Sequence, residues 1–288
     1  MCIKQIKKKK EYSWTFMVEI VQISDLHYGS EFVPEYMENI INYIKNVKPD
    51  VVICTGDVVH KGRVVQYENV LPYFNRIRSL TRLMVVPGNH CAKNSGLIFF
   101  ERLIGPRRSR MIIEGKDTII VGLCSARDDM SEGMIGDEQL DWMGRCFNKN
   151  LENRIIALHH HLISVPLSGQ KFTTVRDAGE ILEFTQLFEI DLVLMGHRHV
   201  PHAYILDNNI TDTIFLYCGT SASRKVRAND SPSFNHIFLD KGDLEVYMVH
   251  SNNLEKHLLL ERREGLTKFI RPRRTRIEHL LSSAVWDE

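Results

Sequence analysis

The sequence predicts an α/β domain that finishes in a β-rich half, and three patterns carry that expectation. Six short, continuous apolar runs read as strands covered on both faces. Helical periods lie between them. Beyond residue 200 the helical periods stop, and apolar segments alternate with turn residues.

In chain order, the strands are expected at 18–24 (VEIVQIS), 50–55, 82–87, 118–124, 154–159 and 191–195. Pro34 suits the first turn of a helix on which Met37, Ile40, Ile41, Ile44 and Val47 share a face, ended by Lys48-Pro49. A second helix is expected over 67–77, with Pro72 marking a kink or a late start. Asp137 opens a third, with Leu140, Met143 and Phe147 on one side. Asp177 and Glu180 form a capping-box start for a fourth, carrying Ile181, Phe184 and Phe188. After residue 200, HAYILD, TIFLYCG, FNHIFLD, LEVYMVH and HLLLE read as strands joined by Asp-Asn, Lys-Gly and Asn-Asn turns. With no internal repeat, one domain over 17–264 is expected.

The ends differ from that body. Residues 1–16 hold five lysines in the first ten positions and read as a disordered leader. The stretch from Met17 (MVEIVQISDLH) could itself begin a protein, as a mis-assigned start codon would explain. Residues 265–288 read as a basic tail packing on the body or on a subunit partner, as in a homo-oligomer.

Composition removes several classes. In 288 residues, 43% are hydrophobic and 25% charged, which excludes a disordered or fibrous chain. A net charge of +1 supplies no global field to gather nucleic acid or an anionic membrane. The six cysteines are scattered without a C-x-x-C, which argues against disulfides and structural zinc and for a reducing cytoplasm. No apolar run approaches the roughly 20 residues that span a bilayer, and no signal-peptide core is present, so a cytoplasmic protein with no membrane partner is expected.

Seven of the 13 histidines fall in short clusters beside Asp, Asn and Gly. Each cluster follows an expected strand: Asp25-Leu26-His27, Gly56-Asp57, Gly88-Asn89-His90, His159-His160-His161 and Gly196-His197-Arg198-His199. Singly these are ordinary turns and strand ends. Together they mark one site, because ligands of parallel α/β sheets bind beyond the carboxyl ends of strands. In extended chain Asp25 with His27, and His197 with His199, would point the same way. Carboxylate, carboxamide and imidazole donors suit Mn, Fe, Zn, Ni or Co. About seven donors exceed one ion's needs, which points to two divalent metal ions sharing a carboxylate, the pair that serves in-line displacement at phosphorus.

The ordered motifs resemble those of the calcineurin-like metallophosphoesterase family from about residue 18 to 238. Gly219–Arg224 and Pro232–Asn235 are similar to its class III cyclic-nucleotide phosphodiesterase-like branch. The resemblance implies an α/β (α+β) fold, a four-layer αββα sandwich of two mixed β-sheets flanked by helices. It implies Asp25, His27 and His199 on one metal, Asn89, His160 and His197 on the other, Asp57 bridging them, and His90 as the catalytic residue facing phosphate. Two positions depart from the family. Cys91 stands where an acid usually follows Asn-His, and His159-His160-His161-Leu162 replaces His-His-Pro. Aligning Leu162 with the proline selects His160; aligning the run's first member selects His159.

The implied function is a dinuclear metal-dependent phosphohydrolase, a phosphodiesterase in the first instance. A metal-bridging hydroxide would attack phosphorus in line in a small phosphodiester or phosphomonoester. The alternatives are a nuclease of the same superfamily, which the net charge disfavours, and a catalytically silent scaffold, which the full donor set disfavours.

Overall fold

Strands that are apolar at every position can serve two cores at once, because successive side chains point to opposite faces. In β2 (Val51–Cys54), Val51 and Ile53 join one core cluster while Val52 and Cys54 join another. The computed structural model describes residues 17–147, 151–166, 168, 174–207, 212–227 and 230–269. The leader 1–16 and most of the expected tail, 270–288, lie outside the described residues.

The first sheet holds β1 (Val18–Ile23), β2, β3 (Arg82–Val85), β10 (Ser233–Asp240), β11 (Asp243–His250), β12 (Lys256–Arg263) and β13 (Leu266–Phe269), in the order β13-β12-β11-β10-β1-β2-β3. β1, β2 and β3 run parallel, and β10 joins β1 antiparallel. The second sheet has the order β4-β5-β6-β7-β9-β8, with β4 (Ser109–Ile113), β5 (Thr118–Gly122), β6 (Asn153–Ala157), β7 (Leu192–Met195), β8 (His202–Asp207) and β9 (Asp212–Tyr217). Its four inner strands are parallel and its two edges antiparallel.

Three apolar clusters fill the three spaces between layers. One packs α1 (Pro34–Val47), α2 (Val64–Leu80) and α3 (Gly96–Leu103) against the first sheet. The second joins sheet to sheet through Ile20, Ile53, Ile155, Leu194 and Leu216. The third packs α4 (Asp137–Phe147) and α5 (Ala178–Leu187) on the second sheet. The architecture is the expected αββα sandwich. Fully burying one such Ile or Leu is worth about 1.5–3 kcal/mol, so every layer depends on these strands.

Several local details differ from expectation. α2 starts at Val64 and runs through Pro72, which is exposed together with Glu68, so the carbonyl that loses its partner can turn to water. Asp177 caps nothing with its side chain. Its carboxylate instead accepts the N–H groups of Ile135 and Gly136, tying α5 to the loop before α4. α3 and β4 carry no sequence signal strong enough to announce them. α3 is eight residues long and is entered through left-handed Asn94 and Ser95 without a capping side chain. The first sheet also continues into the stretch expected as tail, where Leu266–Phe269 pairs with β12. Among the described residues no helix is long and apolar enough to cross a membrane.

Candidate metal centre

All five polar clusters follow strands: β1, β2 and β3 of one sheet, β6 and β7 of the other. Backbone bonds lock the loops together, with Asp25 N donating to Gly56 O at 3.0 Å, His27 N to Asp57 O at 2.9 Å and Gly196 N to His159 O at 3.0 Å. Beneath them the buried Gln22 amide spans the sheets, donating to Met195 O at 3.0 Å and accepting from Asn235 at 2.9 Å.

Asp25, His27 and His199 form the first donor group. The two imidazole Nε2 atoms stand 2.9 Å apart, and Asp25 Oδ1 lies 3.7 Å from His27 Nε2 and 3.2 Å from His199 Nε2. Ligand bonds of about 2.0–2.2 Å give polyhedron edges of about 2.8–3.6 Å; two of these spacings fall in that range and the third lies just beyond it. Asp25 Oδ2 is occupied by Ser24 Oγ and His197 N, whereas Oδ1 is buried and has no hydrogen-bond partner. His199 Nδ1 donates to the Lys225 carbonyl, which turns Nε2 inward.

The expectation that Asp25 and His27 share an extended stretch fails. Asp25, His27, Asp57, His197 and His199 all have positive φ, between 46° and 74°. Each such residue costs about 1–3 kcal/mol, and such strain gathers where surrounding structure holds a functional geometry. The side chains converge because the loops curl rather than because the chain alternates.

Asp57, Asn89, His159 and His197 form the second group. Asp57 Oδ1 accepts His90 N, leaving Oδ2 at 3.4 Å from His159 Nε2 and 3.8 Å from His27 Nε2, between the two groups. Asn89 Oδ1 lies 3.3 Å from His159 Nε2 and 3.1 Å from His197 Nδ1. His159 donates Nδ1–H to Thr55 O at 2.8 Å, so its Nε2 is the free donor atom.

The structure thus seats His159, not His160, beside Asp57. His160 turns away, its Nδ1 bonded to Ser125 Oγ at 2.8 Å, and His161 donates to Gly196 O at 2.8 Å. Strand parity held the answer. Ile155 and Ala157 face the other sheet, where the site lies, and His159 continues that row; Ile156 and Leu158 face the helices, and His160 follows them. The glycine before Asn89 also matters. A Cβ on Gly88 would stand 2.3 Å from Asp57 Oδ1 and 2.8 Å from His159 Nε2.

His90 sits at the rim, its ring 4.7 Å from that of His27. Its Nδ1 donates to the His60 carbonyl at 2.7 Å, an acceptor that replaces the missing acid at position 91. Cys91 is buried, and burial pushes its thiol up to about 12, so it acts as a neutral core residue. His60, which the sequence marked as ordinary, belongs to the site's frame, its ring 5.2 Å from that of His90.

Burial would raise the Asp25 carboxyl, but the charge of the neighbouring His199 outweighs it and holds Asp25 at about 2. Burial opposes a proton on His159, yet the Asp57 carboxylate draws one and raises that imidazole to about 9. A cation beside Asp57 would take that proton's place. Burial lowers His90, so its imidazole is neutral at neutral pH.

A family model described as calcineurin-like phosphoesterase matches residues 18–201, which contain every one of these donors. The chain belongs to the calcineurin-like phosphoesterase family. With that membership it is a metal-dependent phosphoester hydrolase. A protein named probable cyclic nucleotide phosphodiesterase from Moraxella catarrhalis is 27% identical over 204 residues, covering 64% of this chain and 72% of its own. A 3′,5′-cyclic-nucleotide phosphodiesterase from Nostoc sp. is 28% identical over 196 residues, covering 63% and 71%. The purple acid phosphatase of yellow lupin seeds shares the fold, with a TM-score of 0.67 at 14% identity over 84% of this chain and 53% of its own.

In this family member the donors open into a cleft of about 430 Å³, lined also by His90, Ser131, Arg198, Lys225 and Arg227. Arg198 and Arg227 both donate to the Ser168 carbonyl, at 2.5 and 3.5 Å. Arg224, next to Lys225 in the chain, is exposed and does not line it.

Proposed function

We propose that the chain is a phosphodiesterase acting on a small phosphodiester through two divalent ions. Asp25, His27 and His199 would hold one ion, Asn89, His159 and His197 the other, and Asp57 Oδ2 would serve both. The observation that carries this reading is the orphaned Asp25 Oδ1 together with Asp57 Oδ2 between two sets of inward-facing nitrogens. Bound there, the ions would supply Lewis-acid polarisation of the phosphoryl oxygens and an acidified attacking water.

The chain's own residues do the rest. Thr55 O and the Lys225 carbonyl hold His159 and His199 in the tautomer that leaves Nε2 free. The His60 carbonyl fixes the proton on His90 Nδ1, aiming Nε2 into the cleft mouth as the catalytic group. Neutral as it stands, His90 would first take a proton from solvent at Nε2 when an anionic phosphoryl group lies beside it, and could then give that proton to the leaving oxygen, an effect worth about 10²- to 10⁴-fold in rate. The relatives' names support a diester over a monoester, and the cleft suits a small ligand.

The direct test is turnover of bis(p-nitrophenyl) phosphate by Mn²⁺-loaded protein, stopped by a chelator. Protein replete with metal and inert on every mono- and diester tried would sink the reading.

A further inference from the structure

The cleft is more cationic than one phosphodiester needs. Arg198, Lys225 and Arg227 line it, and Lys93 Nζ stands 3.2 Å from His90 Nδ1. All four side chains are half-buried, and none forms an ion pair among the described residues. Other half-buried cations of the protein are paired, as in Arg154 with Glu189, Arg262 with Asp212 and Arg263 with Glu245. Half-burying a cation without a partner is unfavourable, and gathering several at one mouth adds repulsion.

The cluster is also held in place. Arg198 lies between His197 and His199, so the backbone that sets those donors sets it too. Lys225 offers its carbonyl to His199 Nδ1. Two guanidiniums converge on Ser168 O, and Ser168 is anchored by its own N–H and Oγ, both donating to Val165 O at 3.3 and 2.7 Å. Each guanidinium uses one N–H there and retains further donors in a planar fork suited to phosphate or carboxylate. A diester carries a single negative charge, which the metal donors' own site answers.

We propose that the natural substrate bears a second anionic group, a phosphate or carboxylate beside the scissile ester, and that Arg198, Arg227 and Lys225 recognise it. This deepens the phosphodiesterase reading and rests on it. The +1 overall charge conceals the feature because acids elsewhere on the surface cancel it.

A matched pair of chromogenic esters tests it: the p-nitrophenyl ester of thymidine 5′-phosphate, with and without a 3′-phosphate. The Mn²⁺-loaded protein should prefer the 3′-phosphorylated ester by about tenfold or more in kcat/KM, mostly through KM. Calorimetry should show thymidine 3′,5′-bisphosphate binding tighter than thymidine 5′-phosphate by a similar factor. Arg227→Gln and Arg198→Gln should collapse both ratios, and Arg227→Lys should restore most of the preference. Thermal melts identify folded variants. A wild-type ratio near one, or a ratio untouched in the folded double Gln variant, overturns the proposal. No turnover with the binding preference intact would overturn the phosphodiesterase reading and leave the anion site standing; neither turnover nor preference overturns both.

Discussion

His159 Nε2 and Asp57 Oδ2 face each other at 3.4 Å while the Thr55 carbonyl takes the other nitrogen of His159. That relationship decides which member of the His159–His161 run belongs to the centre. His159→Ala should lower bound metal and activity together. His160→Ala should keep its metal and instead lose about 2–4 kcal/mol of stability, because it empties a buried site and removes the ring nitrogen that Ser125 Oγ bonds. Metal analysis with thermal denaturation separates the two, and equal metal loss would reverse the assignment.

His90 faces the substrate through Nε2 and binds no ion. His90→Ala should therefore retain metal while kcat falls by about 10²- to 10⁴-fold. Loss of metal on the scale of an Asp57→Ala variant would move His90 into the ligand set.

Gly88 is needed for space. Gly88→Ala should disrupt metal binding although Gly88 supplies no donor atom, since its Cβ would meet Asp57 Oδ1 at 2.3 Å and Asp57 N at 2.5 Å, and backbone cannot yield as a flexible side chain can. Normal metal affinity in that variant would show that the loop has slack the structure lacks.

Burial holds His160 and His161 at about 3. Unfolded imidazoles titrate near about 6.5. Between those values the unfolded chain binds more protons than the folded one, so stability falls as pH drops through that window. The metal-free protein should lose Tm steadily from about pH 6.5 to about pH 4, and His161→Gln should flatten part of the slope. A level Tm over that range would contradict the burial of neutral imidazoles.

The layered fold and the five loops were legible because apolar, β-branched runs ended abruptly in Asp, Asn and His, a pattern that strand burial and metal chemistry both demand. The left-handed backbone at Asp25, His27, Asp57, His197 and His199 was not, since those residue types do not announce positive φ as glycine does. His160 was favoured by matching Leu162 to a proline, although the inward row of Ile155 and Ala157 already pointed to His159. α3 and β4 were missed because neither a capping side chain nor a long periodic face marks them. The cationic rim was hidden because Lys93, Arg198 and Arg227 are far apart in the chain and meet only in the fold.

The most direct measurement of the central claim is anomalous scattering from crystals of the Mn²⁺-loaded protein. Two peaks about 3.5–4 Å apart, with Asp57 Oδ2 between them and His159 Nε2 against one, are expected. A single peak, or a second peak seated at His160, would contradict the shared centre.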